Sequence, residues 1–274
     1  MSKKIKFSVL MSVYMNENPI YLNEALESVF NQTYIPNEVI LIEDGPVTDK
    51  LEEIIIRYKK KYKHILKVIK YKENRGLGDS LRDGILNCNN EIIFRMDTDD
   101  VALSERFEKQ IKVFLEKNVD IVGSNITEFD EKMQKSISDR IVPESDLEIK
   151  KSIKKRNPMN HMTVAFKRSA VIKAGNYEKM NCFEDYYLWA KMVVNDNKFY
   201  NIQETLVNVR GGRNMIRRRG GLKYIKAIIN FEKSLLNIKL INRRQYVINI
   251  MERIIISLIP NKLRLLFYKI FLRK

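Results

Sequence analysis

The sequence predicts an α/β fold: a mostly parallel, doubly wound sheet flanked by helices, followed by a basic helical C-terminal extension. Three observations carry this. Strand-like apolar runs alternate with helix-period segments through the first 124 residues. A cluster of carboxylates, Asp97-Thr98-Asp99-Asp100, directly follows one short apolar run, where open α/β sheets place their ligands. Positive charge collects at the far end: residues 211–274 hold 16 Lys or Arg against only Glu232 and Glu252. That segment is therefore +14, and the preceding 210 residues are only +2.

The elements follow in order. Phe7 to Tyr14 reads as a strand, and Pro19 to Asn31 as a helix with Leu22, Ala25, Leu26, Val29 and Phe30 at helical spacing. Glu38 to Ile42 is a second strand ending in Glu43-Asp44-Gly45-Pro46. Thr48 to Lys61 is a helix with Leu51, Ile54, Ile55 and Tyr58 on one face. Ile65 to Tyr71 is a third strand, and Leu77 to Asn87 a third helix after Asn74-Arg75-Gly76. The run Ile92 to Phe94 leads into the acidic cluster, a helix spans Ser104 to Lys117, and Val119 to Ser124 is a fifth strand. Past residue 125 the pattern loosens. A short helix is expected over Asp146 to Lys155, a strand over Met162 to Lys167, and a helical turn over Ser169 to Ala174 closed by Gly175. A further helix starts at Phe183-Glu184-Asp185, with acids in its first turn where the helix dipole favours them. Beyond Gly221 the chain is basic and apolar with helical periodicity.

With 274 residues and 45% hydrophobic content, the chain suits one large α/β domain with an appendage. Cys88 and Cys182 match no metal or redox spacing, so a reduced, cytoplasmic compartment is expected. The lysines before Lys6 are not followed by a long apolar run, and no stretch of about 18 uncharged apolar residues occurs. Neither a signal peptide nor a spanning helix is expected.

Carboxylates bunched at the end of a buried strand repel one another, and a bound cation relieves the repulsion. Asp97 and Asp99 fall on the same side by period-two alternation. The other reading is a solvated acidic turn capping the next helix at Ser104-Glu105.

Four motifs in order resemble a family 2 glycosyltransferase with the GT-A fold. They are Ser8-Val-Leu-Met-Ser-Val-Tyr14 with Leu26-Glu-Ser-Val-Phe-Asn-Gln32-Thr33, then Val39-Ile-Leu-Ile-Glu-Asp44-Gly45, then Met96-Asp97-Thr98-Asp99-Asp100, then Phe183-Glu184-Asp185-Tyr186. The resemblance covers roughly residues 6–220. Arg217-Arg218-Arg219-Gly220-Gly221 and Asn157-Pro158-Met159-Asn160-His161 point to bacterial transferases of capsule, exopolysaccharide and lipopolysaccharide assembly, the amylovoran type among them.

This resemblance implies a catalytic domain over 1–221, with a nucleotide-sugar half to about 125 and an acceptor half beyond it, and an extension over 222–274. It implies that Ser12 and Tyr14 pack on base and ribose, and that Asp44 accepts the uracil N3–H; Asp-Gly-Pro is also an ordinary turn. Arg75 and Arg82 would face the cleft, one of them reaching a phosphate, although Arg82 equally fits a solvated surface charge. Asp97 would meet the ribose, and Asp97 and Asp99, with Asp100 as a possible third ligand, would hold Mn²⁺ or Mg²⁺ at the diphosphate. Asp185 would be the base that deprotonates the acceptor hydroxyl, with Glu184 orienting it or binding acceptor. His161 is a candidate for the acceptor cleft, although a lone histidine beside a strand also reads as a satisfied structural residue, and His64 is a surface residue. Relatives carry Arg-x-His near the end of the domain; here the stretch is Arg210-Gly211-Gly212, without the histidine. Arg217 to Arg219 are candidates to neutralise the diphosphate instead.

The function implied is inverting, metal-dependent transfer from a nucleoside diphosphate sugar, a UDP-sugar above all, to a hydroxyl of a lipid-linked saccharide in cell-surface polysaccharide biosynthesis. A sugar-phosphate nucleotidyltransferase is the runner-up, but Tyr14-Met-Asn-Glu-Asn-Pro lacks that class's Gly-rich basic loop. A nucleic-acid binder is third; the tail's apolar residues form aliphatic stripes rather than stacking aromatics, so no nucleic-acid partner is expected. In Lys262 to Arg273, Leu263, Leu266, Phe267, Ile270 and Phe271 share one face and Lys262, Lys269 and Arg273 another. That layout predicts C-terminal helices lying on an anionic membrane surface, with the enzyme peripheral on the cytoplasmic face.

Overall fold

The computed structural model describes residues 5–211 and 221–258. Nine strands form one sheet in the order β3-β2-β1-β4-β8-β6-β9-β5, with β7 paired to β6. The first part is the expected parallel, doubly wound unit: β1 (Phe7–Val13), β2 (Glu38–Glu43), β3 (Leu66–Lys70) and β4 (Ile92–Arg95). The pairs β1–β2, β1–β4 and β2–β3 are all parallel. Between them run α1 (Pro19–Phe30), α2 (Asp49–Lys61) and α3 (Leu77–Asn87).

Alternation along the strands builds two cores. Phe7, Val9, Met11, Val39, Leu41 and Phe94 face α1 and α2, with Leu22, Leu26, Leu51 and Ile55. Leu10, Ile40, Ile42 and Ile93 face α3 with Leu81 and Ile85. Gly84 lets α3 press on β1, since a Cβ there would lie 2.3 Å from Leu10 Cδ1.

The second part is mixed rather than parallel. The expected fifth strand is longer than its apolar run: β6 spans Ile121–Phe129 and passes through position 125, where the two halves were expected to divide. It does not pair with β4. Antiparallel β8 (Ala165–Lys167) lies between them. The strand expected over Met162 to Lys167 is thus shorter, preceded by a 3₁₀ turn at His161–Thr163. The short strands β5 (Val101–Ala102) and β7 (Ser136–Arg140) and the long β9 (Phe199–Arg210) had no clear sequence signal. Helices α4 (Arg106–Glu116), α5 (Asp146–Ser152), α6 (Arg168–Lys173) and α7 (Glu184–Val194) complete the layers.

The basic extension begins with α8 (Leu222–Asn237) and α9 (Arg243–Leu258). Phe231 and Leu235 of α8 join the core of α7, and Phe231 stacks on Phe183 at 4.4 Å. The helix α9 takes up the apolar sequence from Tyr246 to Leu258; the amphipathic segment Lys262 to Arg273 lies outside the described residues, as do Arg217, Arg218 and Arg219. No described helix is long and apolar enough to cross a membrane.

Candidate active site

Because β2, β1 and β4 are parallel neighbours, their carboxyl ends share one edge. From β1 the chain winds outward through β2 and β3, then returns to β4 on the other side. The crevice of an open sheet opens at this reversal. Ser12, Tyr14, Asp44 and Asp97 all lie at this edge, with Tyr14 exposed.

Asp44 is buried and organises the next loop. Its Oδ1 accepts from the Arg75 amide at 2.7 Å, and its Oδ2 from the Gly76 amide at 2.9 Å and Asn74 Nδ2 at 3.0 Å. Gly45 allows that approach: its φ is +86°, and a Cβ would come within 2.7 Å of the Asn74 nitrogen. Arg75 and Arg82, one of which was expected to reach a phosphate, both pair with acids of α3. Arg75 pairs with Asp83 at 2.9 Å and lies over the Tyr71 ring, and Arg82 pairs with Asp79 at 2.7 Å and Asp83 at 3.2 Å.

The three carboxylates of the acidic loop converge, each offering an oxygen within 4.8 Å of the others. Asp97 is ion-paired to Arg95, Asp100 accepts from the Arg210 amide at 3.0 Å, and Thr98 donates to Glu17 at 2.6 Å. Burial, then Asp97 and Glu17, push the Asp99 carboxyl up to about 7. Burial, then Asp99 and Asp97, hold Asp100 well above the ordinary range. A hard, oxygen-seeking cation fits this donor set, because it would relieve the mutual repulsion that raises these groups.

Beneath the loop lie two buried arginines. Burial works against the Arg95 charge, but Asp97 outweighs it and leaves the pKa raised. Arg106 donates to the Arg95 carbonyl at 2.7 Å and to Gln110 at 3.1 Å. Its pKa is lowered to about 9 by burial and by Arg95. Gln32 explains why α4 starts at Arg106 rather than Ser104. Its Oε1 accepts from the Phe107 amide at 3.2 Å and its Nε2 donates to the Leu103 carbonyl at 2.8 Å. Thr33 takes the Ser104 carbonyl at 2.9 Å. An adjacent side chain thus supplies the cap that Ser104 was expected to give.

The other wall comes from α7. Asp185 accepts from Asn157 Nδ2 at 2.7 Å, and burial raises its pKa against the opposing pull of the Tyr186 amide, Asn157, Arg140 and Arg95. Glu184 is raised by burial and then by its neighbour Asp185. It packs near Gly78, where a Cβ would meet its Cγ at 3.1 Å. Tyr177 is buried nearby: burial raises its hydroxyl pKa, Arg95 opposes the rise, and Asp185, Asp97 and Glu184 add to it. His161 sits against Tyr177, its Nε2 at 2.8 Å from the hydroxyl. Burial and then Arg95 hold His161 well below the ordinary histidine range, so at neutral pH it is an uncharged hydrogen-bonding group. His64 is exposed, as expected.

An acidic loop at the reversal of a parallel sheet, faced by a raised carboxylate pair at a helix start, matches the four-motif pattern of the sequence. The family model described as Glycosyl transferase family 2 matches residues 8–179. This chain belongs to that family. It is 36% identical over 271 residues to the UDP-Gal:alpha-D-GlcNAc-diphosphoundecaprenol beta-1,3-galactosyltransferase of Escherichia coli, covering 98% of this chain and 97% of that one. It is 36% identical over 235 residues to the amylovoran biosynthesis glycosyltransferase AmsE of Erwinia amylovora, covering 85% and 86%. Among solved structures, S. aureus TarS 1–349 in complex with UDP-GlcNAc superposes with a TM-score of 0.69 at 19% identity, over 91% of this chain and 72% of that one. The shared GT-A fold confirms the expected fold class.

Several residues of this candidate site were missed in the sequence. Arg95 had a signal: an arginine inside an apolar run is rarely buried without a partner. Arg210 is ion-paired to Glu24, with its guanidinium 4.1 Å over the Tyr21 ring, so the residue before Gly211-Gly212 braces the acidic loop against α1. Tyr177 and Asn157 had no signal, since only the fold brings them to Asp185 and His161.

Proposed function

We propose that this family 2 glycosyltransferase transfers a sugar, with inversion, from a UDP-sugar to a hydroxyl of a lipid-linked saccharide in bacterial cell-surface polysaccharide biosynthesis. The observation that carries the reading is the convergence of Asp97, Asp99 and Asp100 after β4, where the sheet order reverses. The 36% identity to an enzyme named for UDP-Gal and a diphosphoundecaprenol-linked acceptor, over nearly the whole of both chains, supports the donor and acceptor classes.

Ser12, Tyr14 and Asp44 form the nucleotide end of the site. Asp44 keeps a free lone pair on Oδ1 for a base N–H while holding the 74–76 loop. Asp97, Asp99 and Asp100 would hold Mn²⁺ or Mg²⁺, which supplies Lewis-acid stabilisation of the leaving diphosphate. Asp185 takes the acceptor proton; its raised pKa makes it a stronger base than a solvated aspartate, and Asn157 fixes its orientation. Glu184 orients the acceptor. The basic C-terminal helices keep the enzyme at the membrane surface on the cytoplasmic side, where a lipid-linked acceptor is presented.

The test is a panel of nucleotide sugars assayed for hydrolysis and for transfer to a prenyl-diphosphate-linked saccharide, with Mn²⁺ or Mg²⁺ and with chelator. UDP-sugar turnover that needs the cation supports the reading. Full turnover in chelator overturns the metal assignment, and turnover confined to sugar phosphates with a nucleoside triphosphate favours the nucleotidyltransferase.

A further inference from the structure

The helix α9 is amphipathic the wrong way round for a helix on a water-facing surface. Its inward face is polar. Asn249 is 1% exposed and donates to the Lys154 carbonyl at 2.8 Å and to Glu232 at 2.9 Å. Arg253 pairs with the fully buried Glu232 at 2.7 Å, donates to the Lys155 carbonyl at 2.9 Å, and lies over the rings of Phe183, Tyr186 and Phe231. Ser257 completes this face and is buried. The opposite face, one residue per turn, is Val247, Met251 and Ile255, which are 51%, 52% and 63% exposed. A helix on a globular surface ordinarily buries its apolar stripe and exposes its polar one. Here the polar side is satisfied internally and the apolar side is left outward.

We infer that the Val247–Met251–Ile255 face of α9 is a lipid-contact surface that seats on an anionic bilayer. Two features select a bilayer over other occupants. The first is charge. The Glu232–Arg253 pair is internal, and outside it the described segment from α8 through α9 carries Lys223, Lys226 and Lys233 on α8, Lys239 in the connecting turn, and Arg243 and Arg244 on α9, against Glu252 alone. Arg243 and Arg244 are exposed and stand one turn before Val247, at the head of the stripe. An apolar stripe headed by cations is the layout of a helix lying in the interface, its apolar side in the acyl boundary and its cations at anionic headgroups. The second is the acceptor: the inference rests on the proposed lipid-linked acceptor, which places the substrate in that same bilayer. The surface differs from the one read in the sequence, since it lies on α9 rather than on Lys262 to Arg273. Arg253, paired with Glu232 of α8 and lying over the Tyr186 ring, places α9 against α7, the helix that carries Asp185.

The test uses the full chain and its Met251→Glu/Ile255→Glu variant. Both positions are exposed and glutamate is a good helix former, so the fold is retained, which a thermal melt verifies. Co-sedimentation is measured with phosphatidylglycerol-containing vesicles and with neutral phosphatidylcholine vesicles, at low and high salt. The inference expects wild type to bind the anionic vesicles, salt to weaken binding, and the variant to partition at least tenfold less. Equal partitioning of the two proteins overturns it. So does a wild-type dimer that the variant converts to monomer with no change in vesicle binding, because the face then seats a second copy of the chain. Hydrolysis of UDP-sugar without vesicles is read in parallel and is expected to be equal in both proteins. Loss of that activity in wild type refutes the proposed function while leaving the vesicle result to stand on its own.

Discussion

Asp44→Asn separates the loop-holding bonds of this carboxylate from the base contact proposed for it. In the structure Oδ1 accepts one loop amide and Oδ2 accepts another together with the Asn74 side chain. An asparagine offers one oxygen. If it keeps the two-bond position, its amide nitrogen faces the Arg75 N–H, donor against donor. The loss is one hydrogen bond to a charged acceptor, about 1.5–3 kcal/mol, with part of a further penalty for a donor left unpaired beside a half-buried chain. A destabilisation of about 3 kcal/mol is expected, a fall of roughly 6–10 °C in Tm for a chain of this size. Urea and thermal melts measure it, and calorimetric titration with UDP measures the nucleotide arm. Because the loop at 74–76 begins α3 and lies at the edge proposed to take the nucleotide, both stability and UDP affinity should fall. A variant as stable as wild type that loses UDP affinity would refute the loop-organising role and leave Asp44 as a base contact alone. A destabilised variant with full affinity would refute the base contact.

Other outcomes follow from the same geometry. Asp99→Asn should lower transfer on the order of a hundredfold, with metal affinity measured by Mn²⁺ titration falling in step, since one of three converging oxygens loses its charge. Asp185→Asn should keep UDP binding and abolish transfer; if Glu184→Gln does so instead, the base has been assigned to the wrong carboxylate. Burial holds Asp185 above the ordinary value of about 3.9, and a base must be deprotonated, so kcat/KM should fall on acidification at a higher pH than a solvated aspartate would give. A limb at or below that value contradicts the assignment. Arg253→Met should cost about 3–5 kcal/mol in urea denaturation by leaving Glu232 buried and unpaired, and adding Glu232→Met should restore much of it; equal losses in single and double variants would show that the pair carries no such coupling.

The parallel half of the sheet was legible because β1, β2 and β4 are short apolar runs bounded by turn residues, and buried parallel strands must be apolar on both faces. The acidic loop was legible for a related reason: charge at the end of such a run has few explanations. The later strands were not, because β9 pairs in parallel with β6 across about 80 residues of chain and its inward and outward positions do not alternate cleanly. The apolar strand read over Met162 to Lys167 holds a 3₁₀ turn at its start, since Thr163 and Asn160 use their side chains on the backbone of Ser124.

At the site itself, the sequence by itself determined which chemistry was present: three carboxylates after β4, an acidic pair opening α7, and a segment of +14 at the end. These are properties of local composition and spacing, and a single chain displays them unfolded. Tertiary structure alone decided their partners. It put Arg95 and Arg106 beneath the acidic loop, set Asn157 on Asp185, and paired Arg210 with Glu24. It also faced the polar side of α9 inward onto Glu232 and its apolar side outward. Such pairings depend on contacts between residues far apart in the chain, and burial makes each of them costly to leave unmade. No local pattern encodes which distant group will meet that cost.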